Sequence, residues 1–569
     1  MNKSKVLVIG LDGVSFRLIS EWMRNNQLPT LRSLMEDGCW SELESVYPPL
    51  TPAAWTSFYT GKNPGKHGLF DYQLRRQGSY QMIPTHSAMV KSDSLFKILS
   101  RKGKKVGVVN VPMTYPADSV NGFMITGLFT PDTGDLNKTN FTYPQQLKEE
   151  IMKVSGQYRI YPRFFYTKGN IEELVSDYYT LIDQKINVAM HCMRSKPWDF
   201  MMLVINETDH IQHQLWHLLD KNHPDYDARE AQRYADVFLK VYQRVDAGLS
   251  QLLEIIDKEN TNIVVMSDHG LGPVYKWINL NTWLLRKGYI AIKQRPLSLL
   301  KHIMFRFGFT PANIYRLMLR FSRNKVVEKN KLSEKRGFVS RFFLNENDID
   351  WSATKAYSIG HMGQININMK GREPQGVVEP SAQDAVMNEL ITALTGIKDR
   401  DSSGRQVDAI KQVLKKGELF WGPYAKEAAD LYLKVSREEY HILGGATFIS
   451  NRLIERSYGN TATHRTDGIF IACGPAINKS QHLSKPPKIY ELAANILYML
   501  GIPIPGDFDG KVIEALFTPE FLSQNEIIYQ DVRQEQSATY KAAQAKAGLT
   551  DDEIRAAKEM LKKLGYVRD

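Results

Sequence analysis

The chain has little cysteine. Cys39, Cys192 and Cys473 are its three thiols in 569 residues, far apart and with no CxxC pair. Such spacing excludes a disulfide framework and fits reduced, mostly buried thiols. Long apolar runs are missing as well: none approaches the roughly 20 residues needed to cross a bilayer. The start, Met1-Asn2-Lys3-Ser4-Lys5 followed by Val6-Leu7-Val8-Ile9-Gly10, imitates a signal peptide, but the run is short and Asp12 interrupts it. It reads instead as a first β-strand, and the expected location is the cytoplasm. No GxSxG or HExxH occurs, and there is no internal repeat or low-complexity tract. Gly61-Lys62-Asn63-Pro64-Gly65-Lys66-His67 resembles a P-loop, yet its glycines stand one residue too close and His67 replaces the Ser/Thr.

Excess charge is also absent from most of the chain. From Arg286 to Arg341 there are 15 Lys and Arg against Glu328 and Glu334, a net +13, so the rest carries −2 of the total +11. The basic balance is therefore a property of one segment, and it does not argue for nucleic acid. That segment also lacks the interleaved aromatic and glycine pattern of an RNA platform, and no nucleic-acid partner is expected.

What is present is alternation. Strand patterns at 5–11, 105–111, 199–205, 262–266 and 468–472 are separated by helical patterns at 92–102, 171–193, 227–258 and 488–500. This reads as an α/β fold, a doubly wound, mostly parallel sheet flanked by helices. Ligands in such sheets gather at the carboxyl ends of the strands. Asp12, Asn206-Glu207 and Asp268-His269 all stand where a strand has just ended. Residues 288–345 look like a helical, basic insertion, with helices at 296–307 and 310–323; Thr310-Pro311 supplies an N-cap and a first-turn proline. Thr550 and Glu553 form a capping box in the last helix, and Gly565 a stop. The expected division is a catalytic core of residues 1–287 and 346–516, the insertion 288–345, and a C-terminal helical tail 517–569.

Five segments carry the chemistry. Thr51-Pro52-Ala53-Ala54-Trp55 reads as an N-cap threonine, a first-turn proline and then a helix, so the hydroxyl faces the positive end of the helix. That place suits a phosphate, although a plain N-cap would look the same. Asp209 and His213 are one helical turn apart and can reach one ion; His210 and His217 stand close by, His217 one further turn along the same face. Asp268-His269 joins a strand end to Gly270-Leu271-Gly272. His464 precedes the strand Ile469-Phe470-Ile471. Asp12 precedes Gly13, where an Asx turn and a metal ligand are both open readings. Together these acids and imidazoles suit Zn²⁺ or Mn²⁺, and two such ions can clamp the oxygens of an in-line displacement.

These residues, in this order, resemble the alkaline phosphatase superfamily, and within it the type I phosphodiesterase/nucleotide pyrophosphatase family, especially its intracellular prokaryotic phosphohydrolase and phosphomutase branch. The resemblance runs from Val6 to about Leu516 and rests on Gly10-Leu11-Asp12-Gly13, the stretch from Pro48 to Tyr72, Ser267-Asp268-His269-Gly270, Asn368-Met369-Lys370-Gly371-Arg372-Glu373-Pro374, and Gly468-Ile469-Phe470-Ile471 with Gly474-Pro475. It implies an alkaline-phosphatase-like fold and two divalent metal ions. One would be held by Asp209, His213 and His464, the other by Asp12, Asp268 and His269, with Thr51 as the nucleophile and a seventh ligand, bridging toward the second. Characterised nucleotide pyrophosphatases place an asparagine shortly after the His-Gly motif; here alignment puts Tyr72 there, as the candidate substrate contact. The CxPxR setting that sulfatases need is absent around Thr51.

The implied activity is hydrolysis of a phosphodiester or phosphomonoester through a phospho-threonine. The alternatives are a phosphotransferase or phosphomutase acting on a glycan or lipid intermediate, and a non-catalytic binder of phosphorylated ligands. For the insertion two arrangements are open. It packs its apolar face on the core with solvated arginines outside, or it covers the site or docks on an anionic membrane or glycan, which would place the protein at the inner face of the membrane.

Overall fold

The computed structural model describes residues 4–76, 78–321, 342–401, 403–445, 448–531 and 548–564. The apolar run that opens the chain is the strand Lys5–Leu11, buried along all but its first residue. It is the middle strand of a nine-stranded sheet. Thr261–Met266 lies on one side of it and Phe200–Ile205 on the other, both parallel to it. Val106–Val111 and Gly122–Thr126 continue the parallel set beyond Phe200–Ile205. Beyond Thr261–Met266 the strands Asp467–Cys473 and Cys39–Glu44 run antiparallel to their inner neighbours. Phe200–Ile205, Val106–Val111 and Thr261–Met266 are buried at every position, as expected for parallel strands covered on both faces. The sheet and its flanking helices make the mostly parallel α/β architecture expected from the alternation.

Ile171–Ser195 packs on Val106–Val111 and Phe200–Ile205 and pairs with Val237–Glu254. Glu491–Met499 packs on Lys5–Leu11 and on the helices Thr51–Thr60 and Leu95–Arg101. The helical pattern at 227–258 is two helices, Ala228–Arg233 and Val237–Glu254, the first capped by the Asp227 carboxylate on the N–H groups of Arg229 and Glu230. Apolar periodicity runs through the break and gives no sign of it. The capping box of Thr550 and Glu553 opens the helix Asp551–Leu564, while Gly565 lies outside the described residues. No helix among the described residues is long and apolar enough to cross a membrane.

A second hydrophobic cluster gathers side chains between Ile278 and Phe448. Its centre is a four-stranded antiparallel sheet of Ala356–Tyr357, Gln364–Ile367, Leu431–Val435 and Ile410–Lys415, with Gln383–Thr395 packed against it. The division into core, insertion and tail stays a proposal, to which this small sheet adds a lobe. The insertion contributes Pro296–Arg306 and Pro311–Phe321; residues 322 and 323 of the second pattern lie outside the described residues.

Candidate metal centre and nucleophile

Three adjacent parallel strands end together. Leu11 is level with Ile205, and Gly10 with Met266. The first loop residues, Asp12, Asn206 and Ser267-Asp268, therefore sit side by side at the carboxyl edge of the sheet. Gly13 turns the chain there with φ +73°, and a Cβ on it would lie 2.4 Å from Leu271 Cδ1 and 3.0 Å from Asp209 Oδ1. Glycine is what lets this turn pass so close to the carboxylate. Asp209 and His213 lie one turn apart on Glu207–Leu215. His464 arrives on a short strand, Ala462–Arg465, that pairs antiparallel with Gly270–Pro273 and sets His464 opposite Leu271. That register lays the His464 ring on the His269 ring, with centroids 3.7 Å apart.

Thr51 is the first helical residue of Thr51–Thr60, and the extended Leu50 (φ −100°, ψ 129°) holds the cap position. This shifts the expected N-cap by one residue: Pro52, with its fixed φ, sits second rather than first inside the helix. The hydroxyl still lies at the positive end of the helix. Thr51 Oγ1 is 3.1 Å from the Tyr72 hydroxyl and 3.2 Å from His269 Nε2.

The imidazoles are held in one tautomer. Nδ1 of His213 lies 2.9 Å from the Ala462 carbonyl, Nδ1 of His464 2.8 Å from that of Pro49, and Nδ1 of His269 3.2 Å from that of Gly270. A carbonyl accepts only, so each Nδ1 carries a proton and each Nε2 turns inward; burial keeps His269 and His464 neutral, whereas His213, against its burial, is raised above its ordinary value by Asp209. The Nε2 atoms of His213 and His464 are 2.9 Å apart. Two lone pairs at that distance repel, and a proton or a cation must lie between them. Asp209 Oδ1 stands 3.2 Å and 3.7 Å from the same two nitrogens. On the other side, His269 Nε2 is 3.2 Å from Asp268 Oδ2 and 3.6 Å from Asp12 Oδ1. Those two carboxylate oxygens are buried.

The charge balance points the same way. Burial, and then the charge of Asp209, push the Asp12 carboxyl up to about 7. Burial and Asp12 hold Asp268 well above the carboxylate range. Burial also opposes ionisation of Asp209, but the imidazoles of His213, His464 and His269 outweigh it and pull that carboxyl well down. Burial lowers His269 to about 4, and burial with the neighbouring imidazoles holds His464 far below its ordinary value. Two buried carboxyls that hydrogen-bond each other and resist ionisation, beside inward-facing imidazole nitrogens, fit a site whose charge divalent cations would balance. The ligand atoms of Asp12, Asp268 and His269 all lie within 4.8 Å of one another, as do those of Asp209, His269 and His464. His269 thus reaches both groups.

All seven expected ligands and Tyr72 meet in this one place. His210 and His217 do not join them. His217 faces Tyr166 and His223, at ring distances of 5.0 Å and 6.1 Å, and His210 faces Tyr178. The P-loop-like segment is tied down by ion pairs, Lys62 with Asp507 and Lys66 with Asp509.

Several neighbours carried no signal in the sequence. Asn206 donates to Asp12 Oδ2 at 2.7 Å, and the Trp55 indole reaches the same oxygen at 3.4 Å. Asn110 in turn donates to the Asn206 side-chain oxygen. A strand-end position was the one hint for Asn206. Burial holds the Tyr72 phenol far above its ordinary pKa, so it keeps its proton. The small sheet adds His361, from the turn between Ala356–Tyr357 and Gln364–Ile367. Its Nδ1 pairs with Asp71, and its ring lies 5.0 Å from that of Tyr72.

The profile of the type I phosphodiesterase/nucleotide pyrophosphatase family matches residues 6–459. No curated protein sequence matches the chain. Among solved structures, phosphonoacetate hydrolase from Sinorhizobium meliloti 1021, in complex with phosphonoacetate, aligns with a TM-score of 0.50 at 14% identity, over 86% of this chain and 94% of that one. Murine ectonucleotide pyrophosphatase/phosphodiesterase 5 aligns with a TM-score of 0.46 at 13% identity, over 90% of this chain and 100% of that one. At such identities the likeness to the hydrolase speaks for the fold alone. The family match covers the three strand ends, Thr51 and both Asp–His pairs, and the chain belongs to the type I phosphodiesterase/nucleotide pyrophosphatase family of the alkaline phosphatase superfamily, a family of phosphoester hydrolases.

Proposed function

We propose that the protein is a metal-dependent phosphohydrolase that cleaves a phosphodiester or phosphomonoester through Thr51. The observation that supports this most is the position of the Thr51 hydroxyl, 3.2 Å from His269 Nε2, the one imidazole that reaches both carboxylate groups. Two divalent cations, Zn²⁺ or Mn²⁺, held by Asp209, His213 and His464 and by Asp12, Asp268 and His269, would supply Lewis-acid stabilisation and acidify the hydroxyl.

The chain's own residues do the rest. Thr51 Oγ1 loses its proton to solvent and attacks phosphorus; the Oγ1–P bond forms as the bond to the leaving oxygen breaks, that oxygen takes a proton from solvent, and water then cleaves the phospho-threonine, restoring the hydroxyl and releasing phosphate or a phosphomonoester. Tyr72, protonated and 3.1 Å from Thr51 Oγ1, is placed to donate to a phosphoryl oxygen. The carbonyls of Ala462, Pro49 and Gly270 keep the three imidazoles oriented, and Asn206 and Trp55 keep Asp12 Oδ2 in place. The free, dispersed cysteines accord with a cytoplasmic setting, which belongs to the same proposal.

The test is turnover of a p-nitrophenyl monoester and diester panel with Zn²⁺ or Mn²⁺. Thr51→Ala is expected to lose about a hundredfold or more in kcat, and wild-type protein quenched during turnover should carry one phosphoryl group on the Thr51 peptide. If both proteins are inactive across the panel while phosphoester binding persists, the site is a binding site and the proposal falls.

A further inference from the structure

The helix Pro296–Arg306 is built inside out. Its inward residues are Ser298, Lys301 and Phe305. Leu297, Leu300, Ile303 and, just past its end, Phe307 face outward with 63%, 52%, 53% and 89% exposure. Steps of three, three and four residues put these four side chains on one face. The opposite face is pinned. Asp348 accepts hydrogen bonds from Ser298 Oγ at 2.8 Å, from Lys301 Nζ at 3.1 Å and from the Asn345 N–H at 3.1 Å. Phe305 packs on Phe448 with ring centroids 5.6 Å apart, and Asn451 donates to the Arg306 carbonyl. Of the two arrangements open from the sequence, packing of this helix's apolar face on the core is not the one adopted.

Half a turn of rotation about the helix axis would bury the leucines, but it would expose Phe305 and take Ser298 and Lys301 from Asp348, which stays buried on its own element. The observed orientation leaves a contiguous row of large apolar side chains uncovered by any described residue, which marks an interaction surface. The charge around it selects the partner. No Asp or Glu occurs between Arg286 and Val327, while Lys293, Arg295 and Arg306 flank the row. A second copy would bring Lys293, Arg295 and Arg306 up against their own counterparts. A layer that is anionic at its surface and apolar just beneath meets both features.

We propose that this helix docks the protein on an anionic lipid bilayer. Leu297, Leu300, Ile303 and Phe307 enter the boundary below the headgroups, and the flanking cations meet the lipid phosphates. The proposal does not depend on the phosphoester reading.

The test is co-sedimentation of the full chain with phosphatidylcholine vesicles and with mixed phosphatidylcholine/phosphatidylglycerol vesicles. Wild-type protein should bind the anionic vesicles at least about tenfold more tightly than the neutral ones, and less tightly as salt is raised. Leu300→Ser with Phe307→Ser adds no charge and alters exposed positions. It should lower vesicle binding about tenfold or more, with Tm and turnover of a soluble p-nitrophenyl ester unchanged. Arg306→Gln should weaken anionic binding alone. No binding by wild type, or equal binding by the double variant, overturns the proposal. A wild-type dimer that the double variant dissolves, without vesicle binding, also overturns it, in favour of a second copy.

Discussion

Asp12→Asn should make the metal-free protein more stable while removing part of its response to cations. Asp12 is 1% exposed. Burial, with Asp209 nearby, raises its carboxyl from 3.8 to about 7. A raised acid destabilises the fold as pH rises. The unfolded chain releases this proton near 4, the folded chain holds it to about 7, and stability is lost across that window. The interval corresponds to about 4 kcal/mol at pH 8 and to less than half of that at pH 5. An asparagine keeps an oxygen for the Asn206 and Trp55 donors and can turn its amide toward His269 Nε2, so little packing is lost. It also relieves Asp268, which Asp12 pushes up. With an unfolding entropy of about 2.1 cal/mol/K per residue over 569 residues, 4 kcal/mol is about 3 °C in Tm.

The assay is calorimetry in EDTA from pH 5 to 8, repeated with saturating Zn²⁺ or Mn²⁺. Without metal the variant should melt about 3 °C above wild type at pH 8, the gap shrinking to less than half of that at pH 5. With metal the order should close or reverse. A cation at a hundredfold excess over its Kd stabilises by about 2.7 kcal/mol per site, and the variant lacks one ligand. If metal-free Asp12→Asn melts at or below wild type at pH 8, the carboxylate is not starved of positive charge and the argument for a cation beside it fails.

Two further substitutions probe the walls of the site. Tyr72→Phe removes the hydroxyl 3.1 Å from Thr51 Oγ1 and should lower kcat about tenfold to a hundredfold, whereas an unchanged kcat would take Tyr72 out of the reaction. His361→Ala, which removes the small sheet's contact with the Tyr72 ring, should raise KM severalfold more than it lowers kcat, and steady-state kinetics with unchanged KM would remove His361 from the substrate face.

The candidate ligands were legible because each stands on a local element with its own pattern. Asp12 and Asp268-His269 follow apolar strands, Asp209 and His213 share one helical turn, and Thr51-Pro52 opens a helix. These patterns need no knowledge of distant pairing. His464 is different: it reaches the others through the antiparallel pairing of Ala462–Arg465 with Gly270–Pro273, which is a tertiary fact. The small sheet was missed because its strands, such as Ala356–Tyr357 and Gln364–Ile367, are too short to show a period of two. His361 was missed with it.

What no residue pattern carries is the state of the imidazoles. The three groups that set it are main-chain carbonyls, of Pro49, Gly270 and Ala462, and a carbonyl looks the same under every side chain. From the sequence, three aspartates and three histidines are a list of groups able to bind a metal. With the Nδ1 protons on those carbonyls, the Nε2 atoms of His213 and His464 meet at 2.9 Å, and a proton on His213 or a cation must lie between them. The helix Pro296–Arg306 follows the same logic at the surface. Its apolar face was legible in the spacing, but which way that face points is decided by Asp348, 47 residues beyond Lys301. In both places the residue types set what the chain is able to do, and distant partners that periodicity does not encode set which way it is done.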